Sequence, residues 1–318
     1  MELFQFEFMQ RALVAALLVG LTAPVVGTFL VQRRLALVGD GMGHVALAGV
    51  AAGVLTSTSP VWTALVAAVA AAVLIEVLRS RGRTSGDVAL AILFYGGIAA
   101  GVVLISLSPS GTPANLNAYL FGAITTTTGP DLAVFAVLAA LVVGTVLVLA
   151  PRLFAVSNDE EYARATGLNV LAYNLLLAVL TAVTVVVSMR VVGLLLISAL
   201  MIVPNAVAQL VSRSFRATVL VAVLVGSVTS VGGVTLSYYS NTPSGGTIVL
   251  LAIGAFLLAA LAAGARGAIA RRSDPQTEYH PHEHSETCEH PAVPHDDHVD
   301  YVHDGHRHAA HGAHYDEH

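Results

Sequence analysis

Long apolar runs, broken by short polar segments, occupy the chain from about residue 10 to residue 266. A helix needs about 20 apolar residues to cross the hydrocarbon core of a bilayer. Nine runs meet this requirement, at about residues 10–31, 35–57, 60–79, 87–107, 130–150, 168–188, 191–211, 216–238 and 245–266. The pattern predicts an all-α polytopic membrane protein with about nine transmembrane helices. A hairpin or broken helix at the tight junctions near Pro60 and Met189 would change this count by one, and Asn115 to Ile124 is expected to form only a short loop helix.

Composition agrees with this class. Apolar residues make up 56% of the chain and charged residues 11%, which is more apolar surface than a soluble core can bury. All 15 basic residues are arginine, so the lysine-containing phosphate-binding loop of many ATPases cannot be formed by this chain. The single cysteine, Cys288, excludes an intrachain disulfide framework.

Charge divides the chain at about residue 272. Residues 1–272 contain 14 Arg and 9 acidic residues, a net charge of +5, whereas residues 273–318 contain 1 Arg and 11 acidic residues, a net charge of -10. We therefore expect a transmembrane domain at 1–272 and a separate tail at 273–318. The arginines lie scattered in short loops rather than in a basic stripe, which argues against nucleic acid as a partner.

The distribution of arginine between loops predicts the orientation in the membrane. Twelve of the fourteen arginines of residues 1–272 fall on one side of the predicted spans, and only Arg11 and Arg190 fall on the other. Positively charged loops stay in the cytoplasm. We expect a multi-pass protein of a prokaryotic cytoplasmic membrane, with its N-terminus outside and its tail in the cytoplasm.

Asp40 and His44, at the start of the second span, are the clearest candidates for chemistry within the membrane. Residues four apart on a helix share one face, so the two side chains can bind one ion or each other. If Arg34 marks the interface, His44 lies about 15 Å deeper. A carboxylate with a neutral imidazole suits Zn²⁺, Mn²⁺ or Fe²⁺ better than Ca²⁺ or Cu⁺. Glycines at positions 39, 43, 49 and 53 predict that this helix packs centrally.

A structural role is the alternative for the same pair, with Asp40 capping the helix and orienting His44. An ionisable side chain within a membrane is costly, however, and usually functional. Because His44 is the only histidine before residue 280, we favour metal or proton handling. Glu76, Asp87 and Asp131 stand at span ends and are expected to be solvated helix termini.

A polar break at residues 157–170 predicts a short helix on the cytoplasmic side. Asn158 is the expected cap, acidic residues occupy the first turn, and Gly167 ends the helix. An exposed helix of this composition suits a docking element for another subunit. An ordinary solvated linker helix is the alternative.

Twelve of the thirteen histidines lie in the tail, interleaved with carboxylates. Low complexity and negative charge predict a disordered segment, and no short internal repeat is evident in the chain. Imidazoles one to four positions apart can hold Zn²⁺ in several ways, although a histidine run without function is the alternative. The candidate ligands are His280, His282, His284, His290, His295, His298, His303, His306, His308, His311, His314 and His318.

Three blocks of the sequence, in order, resemble the membrane permease subunit of zinc/manganese/iron ABC importers. They are the segments 33–49, 159–168 and 190–204, and the resemblance extends over about residues 8–266. Gly43 and Ala48 stand where the family usually has Ser and Pro. The resemblance implies a type II ABC importer-like fold, metal coordination by Asp40 and His44, and an ATPase-coupling helix formed by Asp159, Glu160, Glu161, Tyr162, Ala163, Arg164 and Gly167.

The resemblance also implies the partners. A second permease copy, a cytoplasmic ATPase subunit and an extracytoplasmic solute-binding protein would complete the transporter. Zn²⁺ or Mn²⁺ would be the transported substrate, with no permanently bound cofactor, and ATP would bind to the partner, so this chain is expected to be a conduit and not an enzyme. A metal/proton secondary transporter would need no ATPase, and a siderophore or cobalamin permease would not need Asp40, His44 or the tail.

Overall fold

A computed structural model describes most of the chain. The described residues are 5–81, 86–107, 116–122, 128–189, 192–194, 197–272, 277–278, 290–295, 298–303, 306–311 and 314–317. They divide into two compact units, residues 1–259 and 260–318.

Helices dominate the described residues up to 272. They are α1 (Glu7–Gln32), α2 (Val38–Leu55), α3 (Pro60–Ser80), α4 (Gly86–Ser106), α5 (Leu116–Phe121), α6 (Gly129–Asn158), α7 (Glu160–Ala165), α8 (Val170–Ser188), α9 (Ile197–Val211), α10 (Phe215–Ser240) and α11 (Ser244–Arg272). Eight of those in the described part are long and apolar enough to cross a membrane, namely α1, α2, α3, α4, α6, α8, α10 and α11. The predicted polytopic helical fold is confirmed.

The seventh predicted span, 191–211, contains a shorter helix than its apolar run predicts. Its helix, α9, begins only at Ile197 and has 15 residues, about 22 Å in length. The preceding residues leave helical geometry at Gly193, where φ is +90°, a conformation that suits glycine. There the backbone N–H of Leu194 donates to the carbonyl of Tyr119 in α5, at 2.8 Å. The seventh helix is therefore shortened by a tertiary contact with α5, the predicted loop helix. The apolar run alone gives no sign of this contact.

Helix α2 packs against its neighbours through glycine, as predicted. A Cβ added at Gly49 would lie 2.6 Å from Cα of Ala64 in α3, and one added at Gly43 would lie 2.6 Å from the carbonyl oxygen of Leu194. Both distances are closer than a methyl group tolerates. Within residues 1–259, apolar side chains such as Leu147 and Val148 of α6 remain exposed, as expected for surfaces that face lipid.

The described part of the tail forms strands, whereas its composition predicted disorder. The strands are β1 (Thr277–Glu278), β2 (Ala292–His295), β3 (His298–His303), β4 (His306–His311) and β5 (His314–Glu317), in the antiparallel order β1-β5-β4-β3-β2. Val299, Tyr301 and Val302 favour strand structure. Only two residues separate each pair of successive strands from β2 to β5, and Asp304-Gly305 is a sequence typical of tight hairpins.

Replacing Gly49 with Ala tests the close packing of α2. We expect a loss of about 1–3 kcal/mol in the free energy of unfolding, because the added methyl group meets the backbone of α3. Gly96→Ala on α4 is the matched control, since open space surrounds Gly96 among the described residues, and it should raise stability by about 0.5–1 kcal/mol. Thermal unfolding in detergent, followed by circular dichroism, measures both, and equal effects would contradict the packing.

Candidate metal-ion site

Asp40 and His44 lie on one face of α2, in its first and second turns. The Nε2 atom of His44 is 4.0 Å from the Oδ2 atom of Asp40, and the two side chains are 10% and 26% exposed. That distance is too long for a hydrogen bond. The pair therefore presents an imidazole and a carboxylate side by side without either group being saturated by the other.

The capping alternative for Asp40 does not match its contacts. Leu37 is the N-cap of α2, which has no side-chain cap hydrogen bond, and Asp40 instead accepts a hydrogen bond of 3.4 Å from the hydroxyl of Ser198 in α9. This contact ties the carboxylate to the short seventh span. The sequence did not identify Ser198 as a site residue. Ser198 lies in segment 190–204, the third of the segments that resemble the permease family.

His44 is held by packing rather than by hydrogen bonds. Its ring meets the edge of Phe94 in α4, with ring centroids 4.3 Å apart, and its Nδ1 atom is buried without a hydrogen-bond partner among the described residues. Gly97 permits this arrangement, because a Cβ there would lie 2.7 Å from the carbonyl carbon of His44. A buried imidazole nitrogen without a partner is uncommon in a folded protein, and it leaves the Nδ1 atom of His44 available for a ligand.

Asp40 and His44 offer two donors to an ion. Within the described residues, no group of three or more His, Cys, Asp and Glu side chains is gathered for metal binding. Two protein ligands leave positions on a divalent ion for water. Such incomplete ligation suits an ion in transit, which must bind well enough to enter and weakly enough to leave.

The predicted short helix is present as α7, with one correction at its start. Asp159, not Asn158, is the N-cap, and its carboxylate accepts 2.9 Å hydrogen bonds from the backbone of Glu161 and Tyr162. Asn158 is instead the last residue of the long helix α6. Gly167 ends α7 as predicted, with φ of +84°.

Helix α7 has a buried side and an exposed side. Ala163 is fully buried against Val156 and Val170, which anchors the helix to the ends of α6 and α8. Tyr162 is 63% exposed, and Glu161 and Arg164 are also exposed. An exposed tyrosine between charges of both signs is a suitable surface for a partner protein.

Glu160 faces inward and joins α7 to three long helices. Its Oε1 atom accepts hydrogen bonds from Arg33, at the end of α1, and from Asn174 in α8, the latter at 3.2 Å. Arg79 of α3 lies 4.0 Å from the same atom and also pairs with Glu76 at 3.0 Å. Glu76 is only 6% exposed, so its prediction as a solvated helix terminus was wrong.

Charge balance in this cluster depends on its two carboxylates. Burial lowers the pKa of the Arg33 guanidinium from its ordinary value, and the nearby positive charge of Arg79 lowers it further. Glu160 and Glu76 act in the opposite direction. Removing either negative charge would leave two close arginines with less compensation.

Two other acidic residues were predicted to be solvated helix termini. Asp131 forms a capping box with Thr128, and the side chain of Asp87 lies outside those described.

The structure brings some tail histidines together and leaves others undescribed. The sheet register places His295 opposite His298, His303 opposite His306, and His311 opposite His314. His308 lies opposite Tyr301, and His290 precedes β2. The remaining predicted ligands, His280, His282, His284 and His318, lie outside the described residues.

Comparison with known proteins identifies the family. A model of the ABC 3 transport family matches residues 5–263. The chain belongs to the ABC 3 transport family. This membership confirms the resemblance to metal-importer permeases. The matched residues include the segments that contain the Asp40/His44 pair and α7.

Individual relatives match most of the chain in sequence, and a solved structure shares its fold. The chain is 31% identical to the manganese transport system membrane protein MntC of Listeria innocua, over 83% of this chain and 94% of that protein. It is 31% identical to the high-affinity zinc uptake system membrane protein ZnuB of Buchnera aphidicola, over 77% and 94%. A solved structure of PsaBC from Streptococcus pneumoniae, in complex with Fab, matches with a TM-score of 0.73 and 32% identity, over 81% and 92%.

Substitution of Glu160 tests whether the cluster anchors α7 in this ABC 3 family member. Glu160→Gln should lower the free energy of unfolding by about 1–2 kcal/mol, since Arg33 and Arg79 lose a shared partner. The control is Glu161→Gln, an exposed neighbour on the same helix, with an expected change within about 0.5 kcal/mol. Chemical unfolding in detergent compares them, and no difference would mean that the cluster contributes nothing to stability.

Proposed function

We propose that this chain is the permease subunit of an ATP-driven importer of a divalent transition metal, with Zn²⁺ preferred over Mn²⁺. The observation that supports it best is the Asp40/His44 pair, in which a partly exposed carboxylate lies 4.0 Å from a buried imidazole whose Nδ1 atom has no hydrogen-bond partner among the described residues, in a chain that belongs to the ABC 3 transport family. A carboxylate and an imidazole together suit borderline ions of the zinc and manganese class.

The preference for zinc comes from ligand chemistry. Named relatives include both a manganese and a zinc transport protein, so the family leaves the choice between the two ions open. Manganese favours oxygen donors, whereas zinc binds imidazole well. Twelve histidines in the tail favour zinc as the metal that this chain encounters.

Energy for transport would come from a separate ATPase subunit. In this proposal α7 is the docking helix, and its exposed side, with Glu161, Tyr162 and Arg164, meets the ATPase. Movement of α7 reaches the transmembrane helices through Glu160, because that carboxylate contacts α1, α3 and α8 at once. A second copy of the permease and an extracytoplasmic binding protein that delivers the ion complete the assembly.

We place the N-terminus outside and the tail in the cytoplasm, from the distribution of arginine. This orientation requires α9 to complete a crossing, since Arg164 precedes α8 and Arg213 follows α9 on the same side. Fifteen helical residues span about 22 Å, and in this proposal residues 190–196, of which 192–194 are described as non-helical, add the remaining depth. Non-helical backbone is tolerated in a membrane where it is buried in protein, and Val192 and Leu194 are buried.

Movement of the ion past α2 follows from this arrangement. The ion would exchange part of its water for the Asp40 carboxylate and the His44 imidazole, on the face of α2 that meets Ser198 of α9 and Phe94 of α4. Because α4 and α9 both contact the pair, a shift of either helix changes access to it. On the cytoplasmic side the tail would collect the released ions, as a buffer or a sensor.

Metal uptake by starved cells that express the whole transporter tests this proposal. His44→Ala and Asp40→Asn should each lower the initial rate of zinc uptake by at least about tenfold. Mutation of residues that only hydrogen-bond to metal ligands already costs about that much in metal affinity or activity. Asp131→Asn is the matched control, because Asp131 belongs to the capping box at the start of α6, far from α2 in sequence. Truncation after Arg272 should leave the rate within about twofold.

Two results would contradict the proposal. Normal uptake by His44→Ala at equal expression would place the route elsewhere. Uptake that continues when the partner ATPase is inactivated would favour a secondary metal/proton transporter. Uptake of manganese but not zinc would retain the importer and reverse only the choice of metal.

A further inference from the structure

A buried network of hydrogen bonds joins α1 to α9. Asn205 of α9 is fully buried, and Thr28 of α1 is 3% exposed. The hydroxyl of Thr28 donates to the Oδ1 atom of Asn205 at 2.6 Å. The Nδ2 atom of Asn205 donates to the carbonyl of Pro24 in α1, at 3.0 Å, and to that of Met201 in its own helix, at 2.8 Å. The amide of Asn205 therefore uses both of its N–H groups and its oxygen.

The network lies where proline interrupts both helices. Pro24 lies inside α1, and Pro204 lies inside α9. Because proline has no backbone N–H, each helix lacks one of its own hydrogen bonds at this point. A polar side chain that has no access to water must find its partners within the protein. Asn205 finds them across the gap and so connects the two interrupted turns.

The backbones of α1 and α9 also touch at this place. A Cβ added at Gly27 would collide with the carbonyl oxygen of Met201 and would lie 2.8 Å from the Nδ2 atom of Asn205. Small residues allow membrane helices to approach each other this closely. The position of α9 against α1 is therefore fixed by backbone contact and by the hydrogen bonds of Asn205 together.

The same face of α9 reaches the Asp40/His44 pair. Ser198 and Asn205 are seven residues apart, which places them about 20° apart around the helix and about 10.5 Å apart along it. Ser198 lies in the first turn of α9, which begins at Ile197. A tilt of α9 by about 10° at Asn205 would displace Ser198 by about 2 Å over this distance. The position of Ser198 thus depends on the anchor at Asn205.

Ser198 in turn orients Asp40. Its hydroxyl donates to the Oδ1 atom of Asp40 at 3.4 Å, which is already long for a hydrogen bond. The other carboxylate oxygen, Oδ2, lies 4.0 Å from the Nε2 atom of His44. A displacement of Ser198 by about 2 Å would break its contact and leave the carboxylate free to turn away from the imidazole.

We propose that Asn205 is a positioning residue for the candidate metal-ion site. It fixes α9 against α1, so that Ser198 stays within reach of Asp40 and keeps the carboxylate beside His44. Asn205 acts through Ser198 and touches no ion. This inference rests on the proposed role of the Asp40/His44 pair in ion transport, and it identifies the contact that preserves the geometry of the pair.

Zinc uptake measured over a range of zinc concentrations tests this role. Ser198→Ala should raise the KM for zinc at least about tenfold, as loss of a group that orients a metal ligand commonly does. Asn205→Leu should raise the KM about three- to tenfold and leave the maximal rate at equal expression within about twofold. The double variant should have the KM of Ser198→Ala alone, because both changes remove the same contact.

Two threonines of α1 provide the matched comparison. Thr28→Val removes the hydroxyl that reaches Asn205. Thr22→Val removes a hydroxyl that is also buried but donates to carbonyls of its own helix, those of Leu18 and Val19. Thr28→Val should raise the KM about threefold, whereas Thr22→Val and Thr28→Ser, which leave the contact with Asn205 in place, should not change it.

Hydrogen exchange measures the anchoring of α9 without any transport. In the purified full-length chain in detergent, backbone amides of α9 should exchange about threefold faster in Thr28→Val and Asn205→Leu, and at the unmodified rate in Thr22→Val. If the unmodified transporter takes up no zinc, the proposed function fails, and exchange still decides whether Asn205 anchors α9.

Three results would overturn the proposal. Thr22→Val could match Thr28→Val in KM and in exchange, which would make the contact between α1 and α9 irrelevant. The effects of Asn205→Leu and Ser198→Ala on the KM could multiply, which would separate Asn205 from Ser198. Asn205→Leu could lower only the maximal rate, as expected of a residue that supports folding alone.

Discussion

Helix α2 approaches α3, α4 and the loop before α9 at distances that side chains larger than glycine would prevent. This close packing is the constraint that determines the rest of the structure around the candidate site. Because α4 meets the backbone of α2 at His44 through Gly97, Phe94 reaches the imidazole, and because α9 lies against the same helix, Ser198 reaches Asp40. A bilayer offers no water to polar groups, so these helices decide what an ionisable side chain at this position can contact.

A second constraint is the charged cluster around Glu160. Glu160 is the meeting point of α1, α3, α7 and α8, and it holds the short helix α7 through charge rather than through apolar packing alone. A charged contact at a membrane surface can be rearranged at modest cost, whereas the glycine packing of α2 is rigid. The molecule therefore combines a stiff helix that carries the candidate ligands with a polar joint through which a partner could act on the bundle.

Apolar run length was sufficient to predict the long helices, and the Gly167 signal and acidic first turn were sufficient to predict α7. Other features depend on contacts that no local pattern encodes. Glu76 was expected in solvent because it is close to a span end, but its side chain is buried in the bundle, where it pairs with Arg79. The cap of α7 moved by one residue because α6 continues to Asn158. In the tail, low complexity and negative charge predicted disorder. The dipeptide Asp304-Gly305 and the alternating residues of β3 are instead typical of a β-hairpin. Ser198 and Phe94 reach the site from distant segments, so only the fold could identify them.

The central claim is that Asp40 and His44 contact the transported ion. Zinc X-ray absorption on the purified chain truncated after Arg272, which removes the tail ligands, tests it most directly. The account predicts bound zinc with an imidazole nitrogen at about 2.0–2.1 Å, and loss of that scatterer in His44→Ala but not in Asp131→Asn. An unchanged zinc spectrum in His44→Ala would contradict it.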